Sequence, residues 1–326
     1  MDRKNNLLSS FLGLMLKMSG SSGGQPAATA SAVPTLPKPN PMSHHGEHQK
    51  KRAVLCGVSY QKKKHKLKGT INDVKRMKSL LVDHFQFPEN AICVLTEEEN
   101  DPELSPTKKN IQNALQWLVQ DNMGGDSLVF YFSGHGLRQP DFAGDESDEF
   151  DETICPSDFA TAGMILDNYI NSTIVKPLKH GVKLHAIIDA CHSGTILDLP
   201  HVYKPKSKQW GGNKSSSGGC ESTNDALAIC FSACADNQLA TDTNAFTGKE
   251  MSGAMTYNFV NAIKAKKRIS YGELLDEMHN NITKHVNTTG CLNLNVLWNV
   301  FRNKPIQEPQ MSSSKIFNVD EVELNL

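Results

Sequence analysis

No apolar run in the 326-residue chain is long enough to span a membrane, so stable membrane insertion is not expected. An excess of charge is missing too. The 34 basic and 35 acidic side chains leave a formal net charge of −1, which argues against broad electrostatic binding to nucleic acid, although basic runs exist locally. A disulfide framework is also lacking. Cys56, Cys93, Cys155, Cys191, Cys220, Cys230, Cys234 and Cys291 are scattered along the chain, several inside apolar strand-like runs. That is the pattern of reduced thiols in an intracellular protein. Zinc is not expected: Cys230 and Cys234 have no second Cys/His pair at ligand spacing. No nucleotide-binding motif is present.

Residues 1–50 contain no cysteine and little that packs. A basic start at Arg3 and Lys4 leads into the apolar Leu7–Met18, and Gly, Ser, Ala and Pro dominate from Ser19 to Pro41. This has the outline of a signal peptide, but Lys17 interrupts the apolar segment and no A-x-A site follows. The reading adopted is a disordered prodomain on a cytoplasmic protein, with the nucleus as a further location. His44, His45 and His48 are read as part of a solvated tail.

From Lys51 the pattern becomes regular. Ala53–Tyr60 reads as a strand, and the lysines at 62, 63, 64, 66 and 68 as a solvated loop. A helix is predicted from Thr70 to Phe85, with Ile71, Val74, Met77, Leu80 and Leu81 at helical spacing. Ala91–Thr96 reads as a strand, and Thr107 as the cap of a helix running to Gln120. Further strands are predicted before His135 and before Cys191, and at Ala226–Cys234. Further helices are predicted at Asn171–Lys179, Gly253–Lys266 and Tyr271–His285. Strands alternating with helices imply a mostly parallel sheet with helices on both faces.

Two stretches carry chemistry. SLVFYFSGHG (Ser127–Gly136) and KLHAIIDACHSG (Lys183–Gly194) are both apolar strands that run into small polar turns. Sites in α/β sheets form at the carboxyl ends of strands. A His and a Cys delivered there suggest a thiol nucleophile, Cys191, with His135 as its acid–base partner. His192 is read as structural. The acidic stretch Pro140–Phe159 is open to two readings, a solvated loop or a hard-cation site, and its spacing does not fit the helix-flanked calcium loop. Lys204–Gly219 is polar and Gly/Ser-rich and reads as a flexible, protease-accessible insertion. In the tail, Asn303–Leu326, the alternation over Ile316–Leu324 suggests an edge strand.

YFSGHG followed by DACHSG, the thiol 56 residues after the histidine, resembles the caspase-fold cysteine peptidases. The DACHSG form is similar to that of the metacaspases. GVSY (Gly57–Tyr60), INDV (Ile71–Val74), GDE (Gly144–Glu146), FDET (Phe150–Thr153) and the long run His180–Pro200 agree with it. The Pro-rich prodomain and modest linker resemble the type I metacaspases of plants. The resemblance implies a caspase-like α/β fold: an α/β/α sandwich at 51–302, with a large-subunit-like part at 51–202, a linker at 203–224 and a small-subunit-like part at 225–302.

It also implies roles. Cys191 and His135 would form the dyad, and the N–H groups of Gly136 and Cys191 would hold the oxyanion. Asp73, Ser133 and Asp189 would line a pocket for the residue before the cleaved bond, with Asp236 in the substrate groove. Two carboxylates in one pocket repel unless a cation enters, so protein substrates cut after Arg or Lys are expected rather than after Asp. Calcium would be the activator, on Asp151, Asp167 and Asp198, with Asn168 where the family has a fourth acid. Departures are Asn168, the CADNQLATD stretch at Cys234–Asp242, and the prodomain without a zinc finger. A monomer is expected, and the composition of the insertion together with Arg/Lys specificity points to self-cleavage there, at Lys204, Lys206, Lys208 or Lys214. The alternative is a catalytically weak regulator that acts by protein–protein binding.

Overall fold

The computed structural model describes residues 50–61, 66–141, 150–191, 193–213, 225–233, 242–243, 252–288 and 309–326. In chain order the strands are β1 Lys51–Gly57, β2 Ile92–Thr96, β3 Ser127–Ser133, β4 Gly136–Pro140, β5 Phe150–Ile154, β6 Ile165–Leu166, β7 Lys183–Asp189, β8 His201–Lys204, β9 Gln209–Gly212, β10 Leu227–Ser232, β11 Asp242–Thr243, β12 Ser252–Gly253 and β13 Gln310–Ser313. The α-helices are α1 Thr70–Ser79, α2 Lys108–Val119, α3 Phe159–Ala162, α4 Asp167–Ile170, α5 Ala254–Ala265 and α6 Tyr271–Thr288. Single π-helical turns extend α1 over Leu80–His84 and α4 over Asn171–Val175.

Among the described residues the large sheet has the order β2-β1-β3-β7-β10-β13-β8-β9. The first five strands are mutually parallel, and β13, β8 and β9 are antiparallel. Two-residue alternation sends the central strands' side chains into two cores. Val54, Cys56, Phe130, Phe132, Leu184, Ala186 and Ile188 pack on one face with Ile111, Leu115 and Leu118 of α2. Ala53, Leu55, Val129, Tyr131, Ile187 and Phe231 pack on the other with α1, α5 and α6. The three layers are those of a caspase-like α/β/α sandwich. Among the described residues no helix is long and apolar enough to cross a membrane.

Close packing brings the helices to the strand ends. At Gly57 a side chain would press within 2.7 Å of a Val74 methyl and 3.0 Å of the Thr70 carbonyl oxygen. The missing Cβ lets the first turn of α1, and with it Asp73, lie against the end of β1. Thr107 caps α2 as expected, its Oγ accepting the Asn110 N–H at 3.4 Å.

Two expectations are corrected. The first half of the supposed flexible insertion is the β8–β9 hairpin; residues 214–224 lie outside the described ones. Tyr203 faces inward and meets the Trp210 ring edge-on at 5.3 Å, and Trp210 Nε1 donates to the Phe317 carbonyl at 2.9 Å. These aromatics anchor a stretch whose lysines face water. In the tail, the strand is Gln310–Ser313, and it is internal, between β10 and β8. Within 316–324 there is one isolated bridge, Ser270 with Glu323, and Ile316 is 63% exposed. The sequence QMSS shows little apolar alternation because Ser312 and Ser313 are buried beside Met311.

The tail is therefore part of the core. Met311→Ala is expected to lower stability by about 2–5 kcal/mol, measured by denaturant unfolding; a surface edge strand would lose far less.

Candidate active site

The site begins with register. Strands β3 and β7 are parallel neighbours with Ser133 directly opposite Asp189. Both strands end there, so the turns that follow, Gly134–His135–Gly136 and Ala190–Cys191, leave the sheet side by side. The Gly134 N–H donates to the Asp189 carbonyl at 3.3 Å. A Cβ on Gly136 would overlap the Cys191 carbonyl oxygen and sit 3.3 Å from the Ala190 Cβ. Gly136 is thus where the histidine turn meets the cysteine turn, and backbone contact with Cys191 is what demands glycine there.

Cys191 is partly exposed, whereas Cys56, Cys93, Cys155 and Cys230 are buried. Burial pushes the Cys93 thiol up to about 12 and raises those of Cys56 and Cys230. Buried thiols of that kind are inert. His135 is held through both of its backbone polar groups. Its N–H donates to the Tyr60 hydroxyl at 2.9 Å, and its carbonyl accepts from the Cys155 N–H at 3.0 Å. Its ring stacks on Tyr60 with centroids 4.5 Å apart.

Behind the two turns lie the predicted pocket acids. Asp73 comes from the first turn of α1, Asp189 from the end of β7 and Ser133 from the end of β3, and all three are buried. The Ser133 hydroxyl donates to Asp73 Oδ2 at 3.4 Å. The charges of Asp73 and Asp189 both reach the Tyr131 hydroxyl, which burial first and then these two charges push well above its ordinary range. The carboxylates are not left to repel each other undamped. Asp73 Oδ2 accepts the Gly253 N–H at 2.8 Å. Asp189 Oδ2 accepts the N–H and hydroxyl of Thr256 at 2.9 and 2.7 Å. Thr256 lies in the first turn of α5, whose N–H groups and dipole favour an anion. A Cβ on Gly253 would overlap the Asp189 carboxylate. Gly253 therefore fits between the two acids, bonded to one and pressed on the other.

The sequence reading missed Gly253, Thr256 and Tyr131. Tyr131 lies within a stretch read simply as an apolar strand, and nothing in the local pattern around 253–256 links it to residues 73 and 189. Asp236, His192 and Lys214 lie outside the described residues.

The predicted metal acids form a second group. Asp167 is fully buried. Its Oδ2 accepts the Glu152 N–H at 2.8 Å and its Oδ1 the Asn168 N–H at 2.7 Å. Burial, then the charge of Asp198 and more weakly that of Asp151, raises the Asp167 carboxyl to about 8. Gln139 Nε2 donates to Asp151 Oδ2 at 3.2 Å. Asp198 sits at φ +45°. Among the described residues no three His, Cys, Asp or Glu side chains are gathered as a ready-made metal site. Glu152, also unassigned from sequence, joins this group to the chain just after the His135 and Cys191 turns. Its buried carboxylate accepts from Arg138 Nε of β4 at 3.0 Å and from the Thr195 hydroxyl, four residues after Cys191, at 2.9 Å.

Comparison with known proteins shows what the chain is similar to. A family model described as metacaspase, peptidase C14 domain, matches residues 51–200. The chain is 44% identical over 307 residues to Metacaspase-1 of Arabidopsis thaliana, covering 90% of this chain and 83% of that protein. It is 50% identical over 233 residues to Metacaspase-3 of the same plant, covering 70% of this chain and 64% of that one. Metacaspase-2 is 48% identical over 238 residues, and the chain spans 57% of its length. Among solved structures, a Geobacter sulfurreducens protein shares the fold with a TM-score of 0.55 at 20% identity, over 83% of this chain and 97% of that one.

The raised Asp167 carboxyl has a consequence for stability. Folded, it keeps its proton until about pH 8; unfolded, it loses it near the ordinary 3.8. Its contribution is fully present below the unfolded value and is lost as pH rises through the folded one. Asp167→Asn is expected to flatten the fall in melting temperature between about pH 4 and 8, measured without added metal.

Proposed function

The chain belongs to the metacaspases, a family of cysteine-type peptidases, and from that premise we propose that it is an endopeptidase that cuts proteins after Arg or Lys. The observation that carries the reading is the pairing of Asp73 and Asp189 around Gly253, directly behind the Cys191 and His135 turns. Two buried carboxylates in one pocket favour a guanidinium or ammonium over an acidic side chain.

In the proposed reaction the Cys191 thiolate attacks the carbonyl carbon, with the imidazolium of His135 beside it. His135 gives its proton to the departing amine, then takes one from the water that hydrolyses the thioester. The N–H groups of Gly136 and Cys191 face the oxyanion in this reading. The contact between Gly136 and the Cys191 carbonyl supports it by keeping these two residues adjacent.

Calcium is part of the same proposal. Asp151, Asp167 and Asp198 offer hard oxygens, and Asn168 a carbonyl. Burial first, and then the charge of Asp198, raises Asp167, and a divalent cation would relieve the second of these. Bound there, the ion would supply positive charge beside Glu152, which bonds Thr195 and Arg138. Self-processing also belongs here. Lys206 is exposed in the turn of the β8–β9 hairpin, whereas Lys204 is held in β8.

The purified chain should cleave Arg and Lys peptides, not Asp peptides, and do so only with calcium. Cys191→Ala should be inert, and calcium should raise the melting temperature of both proteins. Cleavage without calcium would remove the metal from the proposal; a folded chain that cuts nothing would leave the regulator. Gly253→Ala is expected to lower kcat/KM for an Arg peptide by about a hundredfold, because Asp189 must move by a substantial fraction of an ångström.

A further inference from the structure

Tyr60 lies outside the motifs that carry the thiol and the imidazole, yet it touches His135 more intimately than any other side chain described above. We propose that Tyr60 is a positioning residue for His135 and that Glu97 sets it in place. The inference rests on the reading of His135 as the acid–base partner of Cys191.

The argument starts in the backbone. Strand β1 ends at Gly57, and three residues on Tyr60 adopts φ +53°, a left-handed conformation uncommon for a bulky side chain. Such a residue persists only where its surroundings over-determine it. Here they do. The Glu97 carboxylate, just beyond β2, accepts the consecutive N–H groups of Ser59, Tyr60 and Gln61 at 2.5, 3.0 and 3.4 Å, and the Ser59 hydroxyl at 2.5 Å. An anion receiving successive backbone N–H groups locks the turn that presents them.

The turned tyrosine then grips the histidine in two ways. Its hydroxyl accepts the His135 N–H at 2.9 Å and donates to the Cys155 carbonyl at 2.6 Å, while the Cys155 N–H returns to the His135 carbonyl at 3.0 Å. The hydroxyl therefore closes a ring of hydrogen bonds around the peptide that carries the imidazole. Burial keeps it protonated, so it serves as a donor at any working pH. Its ring lies on the imidazole at 4.5 Å with 29° between the planes, and Phe159 backs it edge-on at 6.0 Å. An aromatic face against an imidazole limits its rotation and favours its cationic form. One side chain thus governs both where His135 stands and how readily it holds its proton.

The test uses the full chain with Tyr60→Phe, Tyr60→Leu and Glu97→Ala. Two measurements are made: kcat and KM on an Arg peptide across pH, and the pH dependence of iodoacetamide labelling at Cys191, read by peptide mass spectrometry, which needs no turnover. Tyr60→Phe keeps the stack and loses the hydroxyl. It should lower kcat about tenfold with KM nearly unchanged and leave the alkaline limb in place. Tyr60→Leu loses both. It should lower kcat by about a hundredfold and move the alkaline limb down by about half a pH unit. Glu97→Ala should follow Tyr60→Leu. Wild-type kcat in Tyr60→Phe would overturn the inference, as would an unmoved alkaline limb in folded Tyr60→Leu; should Tyr60→Leu not fold, Tyr60→Phe decides. A wild-type chain that cleaves nothing and labels at Cys191 with the pH dependence of an isolated thiol would overturn the peptidase reading, and this inference with it.

Discussion

The contact between Gly136 and the Cys191 carbonyl is the constraint on which the rest of the site depends. It is possible because β3 and β7 are adjacent, parallel and in register, with Ser133 opposite Asp189. A slip of one residue in a sheet moves every side chain to the other face. Here it would send Asp189 away from the helices that hold it, and the turn bearing the thiol away from the turn bearing the imidazole. The register is protected by the two-sided core, since each central strand buries apolar side chains on both faces. The stability of the sheet and the alignment of the site are one property of the molecule.

Around that contact the protein manages an unusual amount of buried negative charge, and it does so in different ways. Asp73 and Asp189 are held by N–H and hydroxyl donors from elements remote in sequence. Glu152 is held by the Arg138 guanidinium and the Thr195 hydroxyl. Asp167 takes N–H bonds from Glu152 and Asn168, but these do not outweigh its burial and the neighbouring Asp198, and its carboxyl rises to about 8. Donors, ion pairing and proton uptake are the three remedies open to a buried acid. The group left with the third is the one that a cation would serve. It is also the group that Glu152 ties to Arg138 and Thr195, which follow the His135 and Cys191 turns.

How far the sequence could be read is clear from particular elements. The strands at 127–133 and 183–189 were legible because continuous apolar runs between turn signals leave few alternatives, and the one read at 53–60 is present at 51–57. Helix α2 was legible from Thr107 and its apolar face. Strand β13 was not: QMSS has one apolar residue, and its burial comes from β8 and β10 on either side. The β8–β9 hairpin was hidden by its lysines, because Tyr203 and Trp210 gain their packing only when Phe317, more than a hundred residues later, reaches them. At the site, Cys191, His135, Asp73 and Asp189 announce themselves by residue type and motif. Gly253, Thr256, Glu97 and Glu152 do not, since an ordinary residue joins the site there through its neighbours alone.

The sequence by itself determined the chemistry: a thiol and an imidazole at strand ends, acids near them, and enough motif to place the chain among the metacaspases. Residue identity limits which bonds a side chain can make, and that information is local. Only the tertiary structure decided which acid faces which donor, that Gly136 touches Cys191 and Gly253 touches Asp189, and that Tyr60 covers His135. Those are distances between residues far apart along the chain. They are set by strand register and by how closely the helices pack, which no window of sequence contains.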